Sequence, residues 1–197
     1  MRVRTGTMNT IRTFIALDIG DDIRRGLAEA QKRLKTIGAR VSWVAPDKMH
    51  LTLLFLGDTL EEQVPRLSAI LDGETGKSPP FTLNVAGAGW FGSERSPRVL
   101  WAGIPDPPEP LMTLQQRIRE EVSRLEYPLE IRPFTPHLTL GRVRGRRNAT
   151  ALTSALSSYK NSAFGQVTID RLILFKSVLE PQGSRYEVLH ESILKGE

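Results

Sequence analysis

The chain has 197 residues, 40% hydrophobic and 25% charged, with no cysteine and a formal net charge of +5. That length buries one domain or two small lobes, and the lack of cysteine excludes disulfides, thiolate metal sites and cysteine nucleophiles. The apolar runs, such as 51–56, fall far short of the roughly 20 residues that cross a bilayer, and the positive balance favours an acidic partner, nucleic acid first.

Residues 1–10 read as a flexible N-terminal extension without a secretory h-region, and Met8 is a second candidate start. Residues 11–18, rich in β-branched and aromatic side chains, predict a buried strand. Asp21 or Asp22 then caps a helix to about residue 36, with Ile23, Leu27, Ala30 and Leu34 facing inward. A short strand over 41–44 is broken by Pro46, and 50–56 predicts a strand ended by Gly57. A helix follows over about 61–71, with Pro65 in its first turn, and 81–91 reads as one extended stretch.

The order then recurs. A strand over 99–104 leads through a proline-rich segment to a helix over about 111–125, with Leu114, Ile118 and Val122 inward. Then come a strand over 137–143, a helix from 149 to about 159, and one long strand over 167–178. A return strand over 186–193 is expected from a hairpin at Pro181-Gln182-Gly183.

Both halves read strand, helix, strand, helix, strand, at an offset of 87 residues. Under that shift His50 falls on His137, Leu51-Thr52-Leu53 on Leu138-Thr139-Leu140, Pro46 on Pro133, Leu27 on Leu114 and Phe14 on Trp101. The approximate repeats are 11–91 and 98–178, with 179–197 returning as a C-terminal strand. The expectation is an α+β fold: a duplicated β-α-β-α-β unit forms two lobes around a central cleft, in one bilobal domain over 11–197.

Two of the three histidines head identical His-Leu-Thr-Leu segments. On a strand, His50 and Thr52 share one face while Leu51 and Leu53 share the other. The leucines then supply the core, and the open face presents an imidazole and a hydroxyl roughly 6.5–7 Å apart. Two such strands converging on one phosphate would offer two imidazoles and two hydroxyls. In-line displacement at phosphorus needs one group to take a proton from the nucleophile and another to give one to the leaving oxygen. Histidine, titrating at about 6.5, suits both tasks, and the hydroxyls can bind the non-bridging oxygens. Two histidines are too few to ligate zinc, no acidic residue lies one or three positions along either motif strand, and Asp47 and Asp58, which flank the first motif, have no acidic counterpart at the second. Chemistry without metal or cofactor is therefore expected.

On these motifs the chain resembles the two-histidine phosphoesterase superfamily, and more closely the RNA 2′,3′-cyclic phosphodiesterases, historically called 2′-5′ RNA ligases. The similarity runs from Arg12 onward. It includes Phe14-Ile15-Ala16-Leu17, Trp43-Val44, Pro97-Arg98-Val99-Leu100-Trp101, Phe134-Thr135-Pro136 before His137, and Leu172-Ile173-Leu174-Phe175-Lys176-Ser177. The resemblance implies an antiparallel sheet in each lobe and hydrolysis of an RNA 2′,3′-cyclic phosphate end to a 2′-phosphate, without metal. It also implies His50 as proton donor to the 3′ oxygen, His137 as the base for water, and Thr52, Thr139 and Arg142 as phosphate contacts. The residues alone do not separate acid from base, because the motifs are identical. By strand alternation Arg142 lies opposite His137 and Thr139, so it reaches the cleft only if the strand bends or bulges at Gly141.

Phe14 and Trp101 are candidate stacking surfaces for a base, with core packing as the alternative; Trp43 is in the same position. Arg144, Arg146 and Arg147 read as a basic rim or a solvated loop, and His190 as a surface strand residue. The resulting expectation is a cytoplasmic, monomeric hydrolase acting on RNA with a 2′,3′-cyclic phosphate end and making no membrane contact. ATP-independent 2′-5′ RNA ligation in the same site, or an RNA-end-binding module without turnover, are the alternatives.

Overall fold

The computed structural model describes residues 9–125, 127–181 and 183–196. Residues 1–8 of the predicted extension and Gln182 of the predicted hairpin lie outside the described residues. The first half runs β1 (Thr10–Leu17), α1 (Gly20–Lys35), β2 (Val41–Trp43), β3 (Leu51–Leu60), α2 (Val64–Thr75), β4 (Phe81–Ala86) and β5 (Ala88–Ser93). The second half runs β6 (Ser96–Gly103), α3 (Glu109–Ser123), β7 (His137–Val143), α4 (Ala149–Ser157), β8 (Ala163–Ile169), β9 (Arg171–Glu180) and β10 (Gly183–Ile193).

Several boundaries differ from the sequence-based expectation, each for a local reason. The stretch 81–91 is two strands, because Gly87 takes φ +70° and carries the chain from one sheet to another. A Cβ there would lie 2.8 Å from the Lys160 carbonyl oxygen, so only glycine fits the turn. The long strand over 167–178 likewise divides at Asp170 into β8 and β9. Strand β3 does not end at Gly57; that residue takes φ +73° inside the strand and pairing continues to Leu60. Asp21 and Asp22 do not cap α1 but lie within its first turn, where carboxylates favour the positive end of the helix dipole.

Seven strands form an antiparallel path, β10-β9-β1-β3-β7-β6-β5, with β2 added to β7; β4 and β8 make a separate antiparallel pair. The sheet halves exchange strands between repeats. β9, from the second repeat, pairs with β1 of the first, and β5, from the first, pairs with β6 of the second. Between the halves β3 meets β7 through one residue pair, Leu51 with Leu138. One core cluster joins both halves, and its helix contributions are the inward apolar faces of all four helices, such as Leu27 and Leu34, Leu67 and Leu71, Leu114 and Ile118, and Leu152 and Leu156. No described helix is long and apolar enough to cross a membrane.

Candidate active site

The junction of the two sheet halves is built from the motifs themselves. Leu51 and Leu138 are fully buried, as is Leu140, and Leu53 nearly so, while His50, Thr52, His137 and Thr139 are half-buried on the other side. This is the alternation expected of strands with one face in the core. Because Leu51 and Leu138 are antiparallel partners, one step along the strands places His50 towards Thr139 and Thr52 towards His137. The equivalence of the partners puts an approximate two-fold axis between them, and both imidazoles and both hydroxyls surround it.

Each imidazole is oriented by a backbone carbonyl two residues earlier. His50 Nδ1 lies 2.9 Å from the Lys48 oxygen, and His137 Nδ1 lies 2.7 Å from the Thr135 oxygen. A carbonyl only accepts, so Nδ1 carries the hydrogen in both rings and Nε2 is left for proton transfer. Their surroundings differ. His50 stacks on Phe14 with ring centroids 4.8 Å apart, meets the edge of Tyr186 at 5.3 Å and lies 6.2 Å from Phe175. Burial in this aromatic cage lowers the His50 pKa below 6.5; the Lys48 carbonyl opposes the shift, Arg24 adds to it and Asp18 opposes it. His137 is approached by one ring, Phe91, edge-on at 4.9 Å.

Two bulges at matching places decide what else reaches the cleft. On β7, Thr139 pairs with Trp101 and Gly141 with Leu100, leaving Leu140 without a partner on β6. On β3, Thr52 pairs with Ala16 and Leu54 with Ile15, leaving Leu53 without a partner on β1. An extra residue resets the alternation. Arg142 therefore joins the face of His137 and Thr139, through a bulge beside Gly141, and its charge acts on the Tyr186 hydroxyl across the cleft, opposing the rise that burial causes there. Phe55 by the same shift joins the face of His50 and Thr52. It is 59% exposed, with its ring 6.0 Å from that of Phe14. Sequence reasoning missed Phe55, although it stands five residues after His50 as Arg142 stands five after His137.

The pairing corrects the equivalence of Phe14 with Trp101. Ala16 and Trp101 hold matching places opposite Thr52 and Thr139, and Phe14 and Val99 hold matching places opposite Phe55 and Arg142. Phe14 is only 3% exposed and stacks on His50 and on Phe175, so its ring has no free face for a base. Trp101 is half-buried and lies on Gly89, where a Cβ would come within 2.5 Å of the indole. Trp43 packs on the core, with the Lys35 ammonium 5.8 Å from its ring.

A side cavity flanks each histidine, and the two differ in chemistry. The one beside His137, about 480 Å³, is lined by Phe91, Trp101, Ile104, Pro105 and Pro136 among others. The one beside His50, about 260 Å³, carries Asp18, Arg24, Asp47, Lys48 and Arg185. Arg144 is tied to Ser42 at 2.9 Å, while Arg146 and Arg147 are exposed. His190 belongs elsewhere: its Nε2 meets Asp72 at 2.8 Å and links β10 to α2. Among the described residues no group of three or more His, Asp or Glu could hold a metal ion.

Comparison with known proteins follows the same division into halves. The family model described as LigT like Phosphoesterase matches residues 17–101 and again 103–186. An RNA 2′,3′-cyclic phosphodiesterase of Methanothermobacter thermautotrophicus is 32% identical over 89% of this chain and 95% of its own length. One from Thermotoga maritima is 32% identical over 94% and 97%. Among solved structures, a Thermus thermophilus protein superposes with a TM-score of 0.80 at 30% identity, over 95% of this chain and 100% of its own. Escherichia coli LigT complexed with 3′-AMP gives 0.74 at 27% identity, over 94% and 99%.

Proposed function

Because this chain belongs to the LigT-like phosphoesterase family, we propose that it hydrolyses RNA 2′,3′-cyclic phosphate ends to 2′-phosphates, with His50 and His137 as the proton-transfer pair. One observation carries the reading: the antiparallel pair Leu51–Leu138 sets two carbonyl-oriented imidazoles and two threonine hydroxyls around one axis.

The chemistry follows from in-line geometry. His137 Nε2 takes a proton from water as its oxygen attacks phosphorus. The bond from phosphorus to O3′ breaks, His50 Nε2–H protonates O3′, and the phosphate stays on O2′. Thr52, Thr139 and Arg142 hold the non-bridging oxygens, where negative charge is greatest. The ribose carries both O2′ and O3′, so it sits on the His50 side, and Phe55 there offers an exposed ring to the terminal base. Burial disfavours the His50 cation; the bound phosphate anion restores it, so the acid is charged when substrate is present. No step uses a metal.

Both motif strands belong to one chain, so the proposed site is complete in a monomer built as one bilobal unit. A 5′-hydroxyl end in place of water would give 2′-5′ ligation. The apolar cavity beside His137 lies on the nucleophile's side and has room for a nucleoside.

The test is to give the protein an oligonucleotide ending in a 2′,3′-cyclic phosphate, with excess EDTA, and identify the product. A 2′-phosphate end is expected. A 3′-phosphate end, or activity abolished by EDTA and restored by a metal, would contradict the proposal.

A further inference from the structure

The two bulges each leave an irregular piece of backbone, and each is met from the core by a glutamine. Gln31 is on the inner face of α1 and 1% exposed. Its carboxamide nitrogen donates to the Leu140 oxygen at 2.8 Å and to the Val44 oxygen at 2.8 Å. Gln115 is on the inner face of α3 and 6% exposed. It donates to the Leu53 oxygen at 3.3 Å. Leu140 and Leu53 are the residues left without partners on β6 and β1. The contacts cross between repeats: the helix of the first half holds the motif strand of the second, and the reverse.

Neither glutamine is explained by packing. Leucine fills such a position without a polar group to satisfy, whereas a buried carboxamide is costly unless its hydrogen bonds are made. Both sit among apolar neighbours on their helix faces, in matching order: Leu27, Ala30, Gln31, Leu34 in α1 and Leu111, Leu114, Gln115, Ile118 in α3. A bulged strand can relax to regular pairing by slipping one residue, and that slip turns every following side chain to the other face. Fixing the carbonyl of the extra residue opposes the slip.

We propose that Gln31 and Gln115 are positioning residues. Each clamps the bulged leucine carbonyl of the opposite repeat's motif strand, and thereby keeps Arg142 and Phe55, respectively, on the cleft face. The inference rests on the reading of Arg142 as a phosphate contact.

Gln31→Met keeps the volume and removes the donors; Gln115→Met, which gives up one longer bond, is the variant less prone to unfold. Amide hydrogen exchange tests the clamp without reference to activity. Exchange at Gly141 and Arg142 is expected to quicken at least tenfold in Gln31→Met, and at Leu54 and Phe55 in Gln115→Met, with other β3 and β7 amides changing less. Uniform quickening along both strands, or none, overturns the proposal. Kinetics then test the consequence by a double-mutant cycle. Gln31→Met is expected to lower kcat/KM about tenfold or more, and Arg142→Ala to cost little further in that background, while it keeps its full effect beside Gln115→Met. A full, additive loss from Arg142→Ala in Gln31→Met overturns the positioning role. If Arg142→Ala has no effect in the natural sequence, the phosphate reading fails instead, and the exchange arm still decides the clamp.

Discussion

Phe55 and Arg142 hold the same place in the two halves of the sheet: each follows a one-residue bulge, five positions after a motif histidine, and each pairs with a matching residue, Phe14 or Val99. A site that is symmetric in its two imidazoles and two threonine hydroxyls is therefore asymmetric in the side chains beside them. One half offers an aromatic face and the other a guanidinium, which suits a substrate with a base at one end and a phosphate at the other.

Two variants separate those roles. Phe55 is 59% exposed, so Phe55→Ala is expected to change stability by less than about 0.5 kcal/mol. Stacking of a base is worth about 1–3 kcal/mol, so KM for the oligonucleotide should rise roughly 5- to 100-fold. Arg142→Ala removes charge-assisted bonds worth about 1.5–3 kcal/mol and should lower kcat/KM roughly 10- to 100-fold. Steady-state kinetics with intact thermal melts check both; equal losses of stability and activity would contradict the assignment.

The His50 cage has a measurable consequence. Its imidazole is expected to titrate below 6.5 in the free protein, because burial among Phe14, Phe175 and Tyr186 outweighs the Lys48 carbonyl and Asp18. The unfolded chain then binds that proton more readily than the folded one. Its share of stability is fully present above about pH 6.5 and is lost as pH falls through the lowered value, then levels off. Imidazole resonances followed by NMR should show the low titration, moving up when inorganic phosphate is added. A His50 that titrates at or above 6.5 without phosphate would contradict the reading.

The pairing of β2 with β7, which sets Trp43 opposite Gly141, leaves no room at that glycine. A Cβ there would lie 2.7 Å from Val41 Cγ1 and 3.2 Å from the Ser42 oxygen and Trp43 Cε3. Gly141→Ala is expected to cost about 1–3 kcal/mol by overpacking and to weaken phosphate binding through its neighbour Arg142. Denaturant unfolding and phosphate titration test the two effects together; an unchanged midpoint with unchanged phosphate affinity would contradict this close packing of β2 on Gly141.

What the sequence revealed, and what it hid, follows from how local each signal is. The motif strands were legible because His-Leu-Thr-Leu alternates with period two, and the buried leucines bear that out. Helix faces were legible from their apolar spacing, to within a few residues at the ends. The breaks at Gly87 and Asp170 were not: Asp170 stands between β-favouring runs, and the turn at Gly87 is fixed by close approach to the Lys160 carbonyl, far away in sequence. Nor was the exchange of β5 and β9 between halves, since a strand's partner is not written in its own residues. Strict alternation puts Phe55 on the core face with Leu51 and Leu53. Only the bulge at Leu53 turns it outward, and a bulge has no composition signal in this segment. A constant offset of 87 misplaced Trp101 and Leu114, because the first strands match at 85, Ala16 to Trp101, the buried helix faces at 84, Leu27 to Leu111, and the motif strands at 87, His50 to His137.

The most direct measurement is single-turnover hydrolysis of a 2′,3′-cyclic-phosphate oligonucleotide by His50→Ala and His137→Ala, each checked for an unchanged fold by circular dichroism. Each proton transfer is worth roughly 10²–10⁴ in rate, so both variants should lose at least about 100-fold while still binding the substrate. A folded variant of either residue that turns over at the natural rate would contradict catalysis by the two-histidine pair.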